Sequence, residues 1–278
     1  MKALSAFAGA VGCAVVLIGC PATSVAQPAT TTADPMVRAR QRYNAGEYDA
    51  AIEAARDAAS RPATRSEANL LLGRALLERH RASRTPEDLS AGRQALAAVD
   101  AGALDDRGRV DLVVGLGEAL YLDGEYGAAA GLLEPVLEQM GLLPAPGREQ
   151  VLDWWATAMD RYAQTRPPEE RGAVYDRVTT RMRAHLGRYA DSAAASYWLP
   201  AAALARGDLD VAWDLALAGW VRALLAHDKG AALRADLDRL VTEALIPERE
   251  KRLPDDDDST SATERFTAEW EEAKSQWK

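Results

Sequence analysis

The chain has 278 residues, of which 48% are hydrophobic and 27% are charged, so it is not a disordered polypeptide and can form one large or two small domains. Its 33 Lys and Arg against 42 Asp and Glu give a net charge of −9, which argues against nucleic acid as a partner, because phosphate binding needs a basic surface. Only 2 Phe are present and alanine supplies much of the apolar content, so closely packed helices are favoured over a β-sandwich.

Residues 1–26 are predicted to be a secretory signal peptide, because Lys2 is followed by an uncharged apolar run with small residues near its end. Two cleavage sites compete. The sequence LIGC at 17–20 resembles a bacterial lipobox, with cleavage after Gly19 and lipid on Cys20, whereas SVA at 24–26 fits an ordinary signal-peptidase site, with cleavage after Ala26. The alternative to both is a retained membrane anchor, for which the run is short.

Both cysteines, Cys13 and Cys20, lie in this predicted signal segment. After cleavage no internal disulfide or thiolate zinc site would be possible, so packing would have to stabilise the fold. Residues 27–33 are assigned to a linker. We expect an exported protein of the periplasm or cell envelope, lipid-anchored if Cys20 is modified, with no other membrane attachment.

The stretch YNAGEYDAAIEAARDAA at 43–59 returns as YLDGEYGAAAGLLEPVL at 121–137. In each copy a helix is expected to end near a glycine, and a second helix begins after a turn of two or three residues. Glycine permits the tight connection, tyrosine packs between the two helices, and alanine lets their backbones approach. The residues that define the repeat are Gly46, Tyr48 and Ala51 in the first copy and Gly124, Tyr126 and Ala129 in the second.

This spacing of a small residue, Gly, an aromatic residue and Ala resembles the tetratricopeptide repeat, a helical hairpin of about 34 residues. Further units are predicted at 68–99, where Gly73 takes the small position and Ala91 heads the second helix after a long loop, and at 198–219, where Pro200 departs from the pattern. A fourth, degenerate unit consists of helices at 148–164 and 168–186. The resemblance implies an all-α, right-handed α-solenoid of about five hairpins over 34–252.

Two further helices are predicted beyond the hairpins. The first, from residue 231, is expected to cap the stack with one leucine-rich face and to kink or end at Pro247. An acidic linker at 253–260 contains Asp255 to Asp258, whose four consecutive carboxylates lack the spacing of a calcium loop. The last helix, at 261–278, carries Trp270 and Trp277 on one face. One hypothesis is that it occupies the chain's own groove until a partner displaces it.

No catalytic, metal or cofactor motif is found in the sequence. The histidines, His80, His185 and His227, are isolated and are interpreted as surface or helix-end residues. No nucleophile elbow, phosphate loop or dinucleotide fingerprint is present. We therefore expect a protein that is not an enzyme and that needs no cofactor.

If the resemblance holds, the ligand surface is the concave side formed by the first helix of each hairpin. Arginine and aromatic residues are common anchors of protein interfaces. Packing between hairpins is the alternative role for these side chains, above all for Trp155. The predicted groove residues are Arg40, Tyr43, Arg74, Glu118, Tyr121, Trp155, Tyr162 and Tyr197.

The sequence thus favours a non-catalytic scaffold of the bacterial cell envelope that holds a partner peptide or helix in this groove. The alternative is a cell-wall hydrolase or lyase built on an α-superhelical stack. An enzyme would need one deep cleft with a carboxylate of perturbed pKa, whereas a scaffold would have a long shallow groove.

Overall fold

The computed structural model describes residues 34–226, 230–253 and 259–277, and its regular secondary structure within these ranges is entirely helical. The predicted signal peptide with Cys20, the 27–33 linker, His227 and the acidic run Asp255 to Asp258 lie outside the described residues. The helices are α1 (Pro35–Asn44), α2 (Tyr48–Ala59), α3 (Arg65–Ser83), α4 (Pro86–Ala97), α5 (Asp106–Leu122), α6 (Tyr126–Leu133), α7 (Ala145–Gln164), α8 (Pro168–Leu186), α9 (Ala193–Arg206), α10 (Leu209–Arg222), α11 (Ala231–Leu240), α12 (Ile246–Glu250) and α13 (Ser259–Ser275).

Helices that are neighbours in sequence pack against each other, from α1 on α2 to α10 on α11. The odd-numbered helices also contact one another in order: α1 with α3, α3 with α5, α5 with α7, α7 with α9 and α9 with α11. The prediction of an all-α chain of adjacent helix pairs is confirmed, and this arrangement is that of an α-solenoid. It brings one face of each odd-numbered helix into a common row.

The two copies of the sequence repeat form equivalent turns. Gly46 and Gly124 have φ angles of 73° and 85°, a left-handed conformation that glycine adopts at low cost. The two rings that flank each turn are in contact, with centroids 5.9 Å apart for Tyr43 and Tyr48 and 5.4 Å apart for the equivalent Tyr121 and Tyr126. Ala51 and Ala129, which follow the turns, are both fully buried.

Small residues also stand where two helices of a hairpin come closest. A Cβ added to Gly73 of α3 would lie 2.6 Å from Leu96 of α4, and one added to Gly117 of α5 would lie 2.7 Å from Leu133 of α6. No side chain fits there without displacing its neighbour. The small residue of the repeat is therefore required by helix packing.

The second hairpin differs from its prediction in one respect. Its second helix begins at Pro86 instead of near Ala91, so the connection from α3 is short and not long. Arg84 makes this tight turn with a φ of 59°. Pro86 supplies a fixed φ at the first helical position, and the acidic Glu87 and Asp88 follow in the first turn, where the helix dipole favours them.

Pro200 lies inside α9, where it has no N–H to donate to the carbonyl oxygen of Ser196. That oxygen lies 3.0 Å from the position of a Cβ on Gly219, so the backbone of α10 comes close to α9 at this point. The helix continues through Pro200, and the facing helix presents glycine where the two backbones come close.

The C-terminal helices close the end of the stack, as predicted for the capping helix. A π-helical turn at 241–245 joins α11 to α12 just before Pro247, so the helical path continues past the proline. Helix α13 packs on α10 and α12, and Trp270 is fully buried against Trp213 and Trp220 of α10. The helix thus lies at the end of the stack and not along its groove, contrary to the self-docking hypothesis.

Candidate functional site

The candidate site is a row of aromatic and charged side chains on the odd-numbered helices, which we call the odd-helix row. Each member contacts, or interacts electrostatically with, a member on another of these helices. The row consists of Tyr43 on α1, Arg74, Glu78 and Arg81 on α3, Asp111 and Glu118 on α5, Asp153 and Trp154 on α7, Tyr197 and Trp198 on α9, and Asp236 on α11.

The first part of the row joins α1, α3 and α5 through Arg74. Its guanidinium carbon lies 5.6 Å from the centre of the Tyr43 ring, a cation–π contact, and its Nη1 lies 3.5 Å from Oδ1 of Asp111. Burial raises the pKa of Tyr43, so its hydroxyl stays protonated. Arg74 is therefore already occupied by two neighbours.

Glu118 occupies the middle of the row and is only 3% exposed. No described residue donates a hydrogen bond to either of its carboxylate oxygens. Burial, followed by the nearby charge of Glu78, raises the pKa of Glu118 to about 8. Burying a carboxylate without hydrogen-bond donors costs folding free energy. We therefore expect Glu118 to have a functional role or to bind a partner outside the chain.

Arg81 of α3 is the cation nearest to Glu118. Its Nη1 lies 3.9 Å from Oε1 of Glu118, beyond hydrogen-bonding distance, while the same atom donates to Oε2 of Glu78 at 3.1 Å. The guanidinium carbon also lies 5.4 Å from the centre of the Trp154 ring on α7. Because an arginine of α3 reaches past α5 to α7, side chains of three successive odd-numbered helices converge here, which indicates that the row curves inwards.

The last part of the row joins α7, α9 and α11. The indole N–H of Trp198 donates to Oδ1 of Asp153 over 2.8 Å, and the rings of Trp198 and Tyr197 lie 5.6 Å apart. Burial raises the pKa of Asp153; it also raises the pKa of Tyr197 to about 12, with Asp236 as the next cause. Burial likewise raises the pKa of Asp236 to about 6. This part of the row is acidic and poorly solvated.

Four predicted groove residues, Arg40, Tyr121, Trp155 and Tyr162, do not belong to the row. Trp155 is fully buried in the core, and Tyr162 packs over Gly127 of α6, beside a surface cavity of about 250 Å³ that Met159 also lines. On α7 it is Trp154, one position earlier than Trp155, that faces the row. The fourth unit lacks the Gly and Tyr that mark the turn in the other units, so its sequence did not reveal which side of the helix faces inwards.

The other predicted positions lie on odd-numbered helices. Arg40 is exposed and forms an ion pair with Glu67 of α3. Tyr121 is half-buried against Tyr126, and its pKa is raised by burial. Tyr43, Arg74, Glu118 and Tyr197 belong to the row itself. Whether these side chains bind a partner stays a prediction.

Sequence reasoning missed Glu78, Arg81, Asp153 and Trp198. On α3, Glu78 and Arg81 follow Arg74 by four and seven positions, the helical spacing that places residues on one face. Extending that spacing from Arg74 would have found both. Asp153 and Trp198 are recognisable only as a pair, because their hydrogen bond joins two helices that are far apart in sequence.

The histidines are more buried than expected. The Nδ1–H of His80 donates to the carbonyl oxygen of Thr85 over 2.7 Å, and Nε2 of His185 lies 3.7 Å from Glu149, which caps the start of α9 by accepting from Ser192 and Ala194. His80 is only 9% exposed and His185 only 7%, so the interpretation as surface residues is wrong for both. Both lie in the last turn of a helix, as the helix-end alternative states.

The described ranges contain no group of three His, Cys, Asp or Glu side chains arranged to hold a metal ion. None of the helices they contain combines the length and the apolar character needed to cross a bilayer.

No family model matches the chain, and no match is found among curated proteins or among solved structures. The resemblance to the tetratricopeptide repeat therefore rests on the repeat residues themselves.

Proposed function

We propose that the chain is an exported, non-catalytic interaction scaffold of the bacterial cell envelope, built as a right-handed stack of about five tetratricopeptide-like hairpins. The odd-helix row holds an extended segment or a helix of a partner protein. The observation that carries this proposal is the continuity of the row, in which charged and aromatic side chains follow one another from α1 to α11.

The chemistry of the row supports this role. Tyrosine, tryptophan and arginine provide much of the binding energy at protein interfaces. Here Tyr43, Arg74, Trp154 and Tyr197 are half-buried and held by neighbours, so little conformational entropy is lost on binding. Helical repeats commonly present such extended surfaces. Each hairpin contributes a few residues, which suits a ligand that is long compared with one helix.

The test is an affinity pull-down from envelope extract with the full chain, its Tyr43→Ala and Trp154→Ala variants and a matched control. Glu53→Ala and Arg56→Ala change exposed residues of α2, away from the row. The proposal requires one protein that is captured by the wild type and the controls and lost with both row variants. Equal capture by all variants would reject the row as the binding surface. Intact-mass measurement of the protein from its own host decides whether Cys20 carries lipid.

A second candidate is the cell-wall hydrolase or lyase, and one observation favours it: Glu118 is a buried carboxylate with a raised pKa, as a general acid requires. The cavities found beside Tyr162 and beside His185 lie elsewhere. Turnover of purified cell wall by the wild type but not by Glu118→Gln would establish this alternative and reject the scaffold.

A further inference from the structure

Carboxyl groups outnumber cations among the row residues around Glu118. Arg74 and Arg81 are the two cations among the row residues of α3 and α5, against three carboxylates, those of Glu78, Asp111 and Glu118. Arg74 forms an ion pair with Asp111 and a cation–π contact with Tyr43, and Arg81 donates a hydrogen bond to Glu78. Neither arginine donates a hydrogen bond to Glu118, although Nε of Arg74 is also buried without a partner, and the side chain of Glu118 is the most buried of the three carboxylates.

Arg81 is more exposed and less firmly held than Glu118. Its side chain is 39% exposed, against 2% for that of Glu118, and its contact with Glu118 lacks a hydrogen bond. Its guanidinium stands between two carboxylates and the face of Trp154, which are the groups that recognise a planar cation. The protein thus places its own arginine in this position without satisfying Glu118.

We infer that Glu78, Glu118 and Trp154 form a binding site for an arginine side chain of the partner segment, and that Arg81 occupies this site in the free protein. The incoming guanidinium displaces Arg81 and donates N–H groups to Glu118, which loses its proton to solvent as the cation binds, while the guanidinium plane stacks on Trp154. This inference rests on the proposed scaffold function, since it specifies what the partner presents to the row.

The physical basis is the difference between the two arginines. A guanidinium has five N–H donors in a planar fork, so one that approaches from solvent can satisfy both carboxylates with good geometry. Arg81 is fixed to α3 and reaches Glu118 only at 3.9 Å. Charge-assisted hydrogen bonds to a desolvated carboxylate are among the stronger ones, so the exchange is favourable. A lysine offers a point charge without the planar fork and is expected to bind less well.

The experiment uses an array of short synthetic peptides made in matched sets, with Arg, Lys or citrulline at the central position and the same residues elsewhere. Citrulline keeps the shape of arginine and removes its charge. The full-length wild-type chain is expected to bind its preferred arginine peptides about tenfold more tightly than the citrulline versions. Glu118→Gln and Glu78→Gln should lose this preference and still bind the citrulline peptides, whereas the control Glu53→Gln should behave as the wild type.

Arg81→Ala provides an independent readout, because removing the resident arginine is expected to tighten binding of the arginine peptides by about tenfold or less and to leave the citrulline peptides unchanged. Circular dichroism confirms that each variant is folded, and Glu78→Gln replaces Glu118→Gln if the latter does not fold.

The two proposals fail in different ways. If peptides bind the row but the arginine and citrulline versions bind equally, the arginine site is wrong and the scaffold function stands. If no peptide of any set binds, both the arginine site and the peptide-binding scaffold are rejected. Unchanged arginine preference in Glu118→Gln and in Glu78→Gln would also overturn the site.

Discussion

The indole N–H of Trp270 donates to Oδ1 of Asp238 over 2.9 Å and thereby joins α13 to α11. The same oxygen accepts from Nζ of Lys274 at 2.6 Å. The Trp270 ring is fully buried, and its centroid lies 5.7 Å from the ring centroids of both Trp213 and Trp220. One aromatic side chain thus provides both the apolar and the polar attachment of the last helix.

We expect Trp270→Ala to release α13 and to lower the free energy of unfolding by about 3–5 kcal/mol, because the substitution leaves a large cavity and removes a hydrogen bond. Chemical denaturation measures the loss, and hydrogen exchange over α13 shows whether the helix detaches. The matched control is Trp277→Ala on the same helix, since the Trp277 side chain is 45% exposed. Equal effects of the two substitutions would contradict the described docking.

Substitution by alanine should destabilise the protein at the two turn glycines and stabilise it at a helical glycine. Gly46→Ala and Gly124→Ala place a Cβ in the left-handed conformation, which costs about 1–2 kcal/mol although nothing lies within 4 Å of the added atom. Gly131→Ala in α6 also meets open space, but its backbone is helical, so we expect stabilisation of up to about 1 kcal/mol.

Thermal and urea unfolding of these three variants give the comparison. Stabilisation by Gly46→Ala would show that the turn between α1 and α2 does not have the described geometry.

Glu118 makes stability depend on pH. Its pKa is raised from 4.5 to about 8 in the folded protein, so between these values the unfolded chain releases the proton and the folded protein keeps it. The contribution of this group to stability is therefore greatest below pH 4.5, falls as the pH rises towards 8, and is constant above. The charged groups around it are Glu78, Arg74 and Arg81.

Glu118→Gln removes this titration. Relative to the wild type, we expect the variant to gain on the order of 4 kcal/mol of stability between pH 5 and pH 9, measured by urea denaturation at both values. Glu53→Gln on the surface of α2 should show no such change. A difference between wild type and Glu118→Gln that is independent of pH would contradict a raised pKa.

The adjacent tryptophans of α7 should separate stability from binding. Trp155→Ala is expected to lower the free energy of unfolding by about 3–5 kcal/mol, because the residue is fully buried in the main core. Trp154→Ala should cost about 1–2 kcal/mol, because its half-buried ring lies in the row and loses mainly the contact with Arg81.

Partner binding should follow the reverse order among variants that remain folded. Loss of binding in a Trp154→Ala variant that still unfolds cooperatively supports the row. A larger loss of stability in Trp154→Ala than in Trp155→Ala would contradict the assigned orientation of α7.

Much of the helical architecture is predictable because its signals are local. The turn of each repeat copy needs a glycine at Gly46 or Gly124, and the same motif places a tyrosine on either side of it. Small residues such as Gly73 mark the closest approach of two helices. Where these markers are missing, as in the fourth unit, the sequence predicts the helices but not which side of them faces inwards, and Trp155 was assigned to the wrong face.

The sequence by itself determined that the chain is helical, where the two repeat copies turn, and that Tyr43, Arg74, Glu118 and Tyr197 belong to one series of helices. Only the tertiary structure decided that Arg81 of α3 reaches Trp154 of α7, that Glu118 is left without a hydrogen-bond donor, and that α13 docks on Asp238. The reason is that helix formation and tight turns depend on residues a few positions apart, whereas burial, pKa and the pairing of charges depend on which helices meet in space.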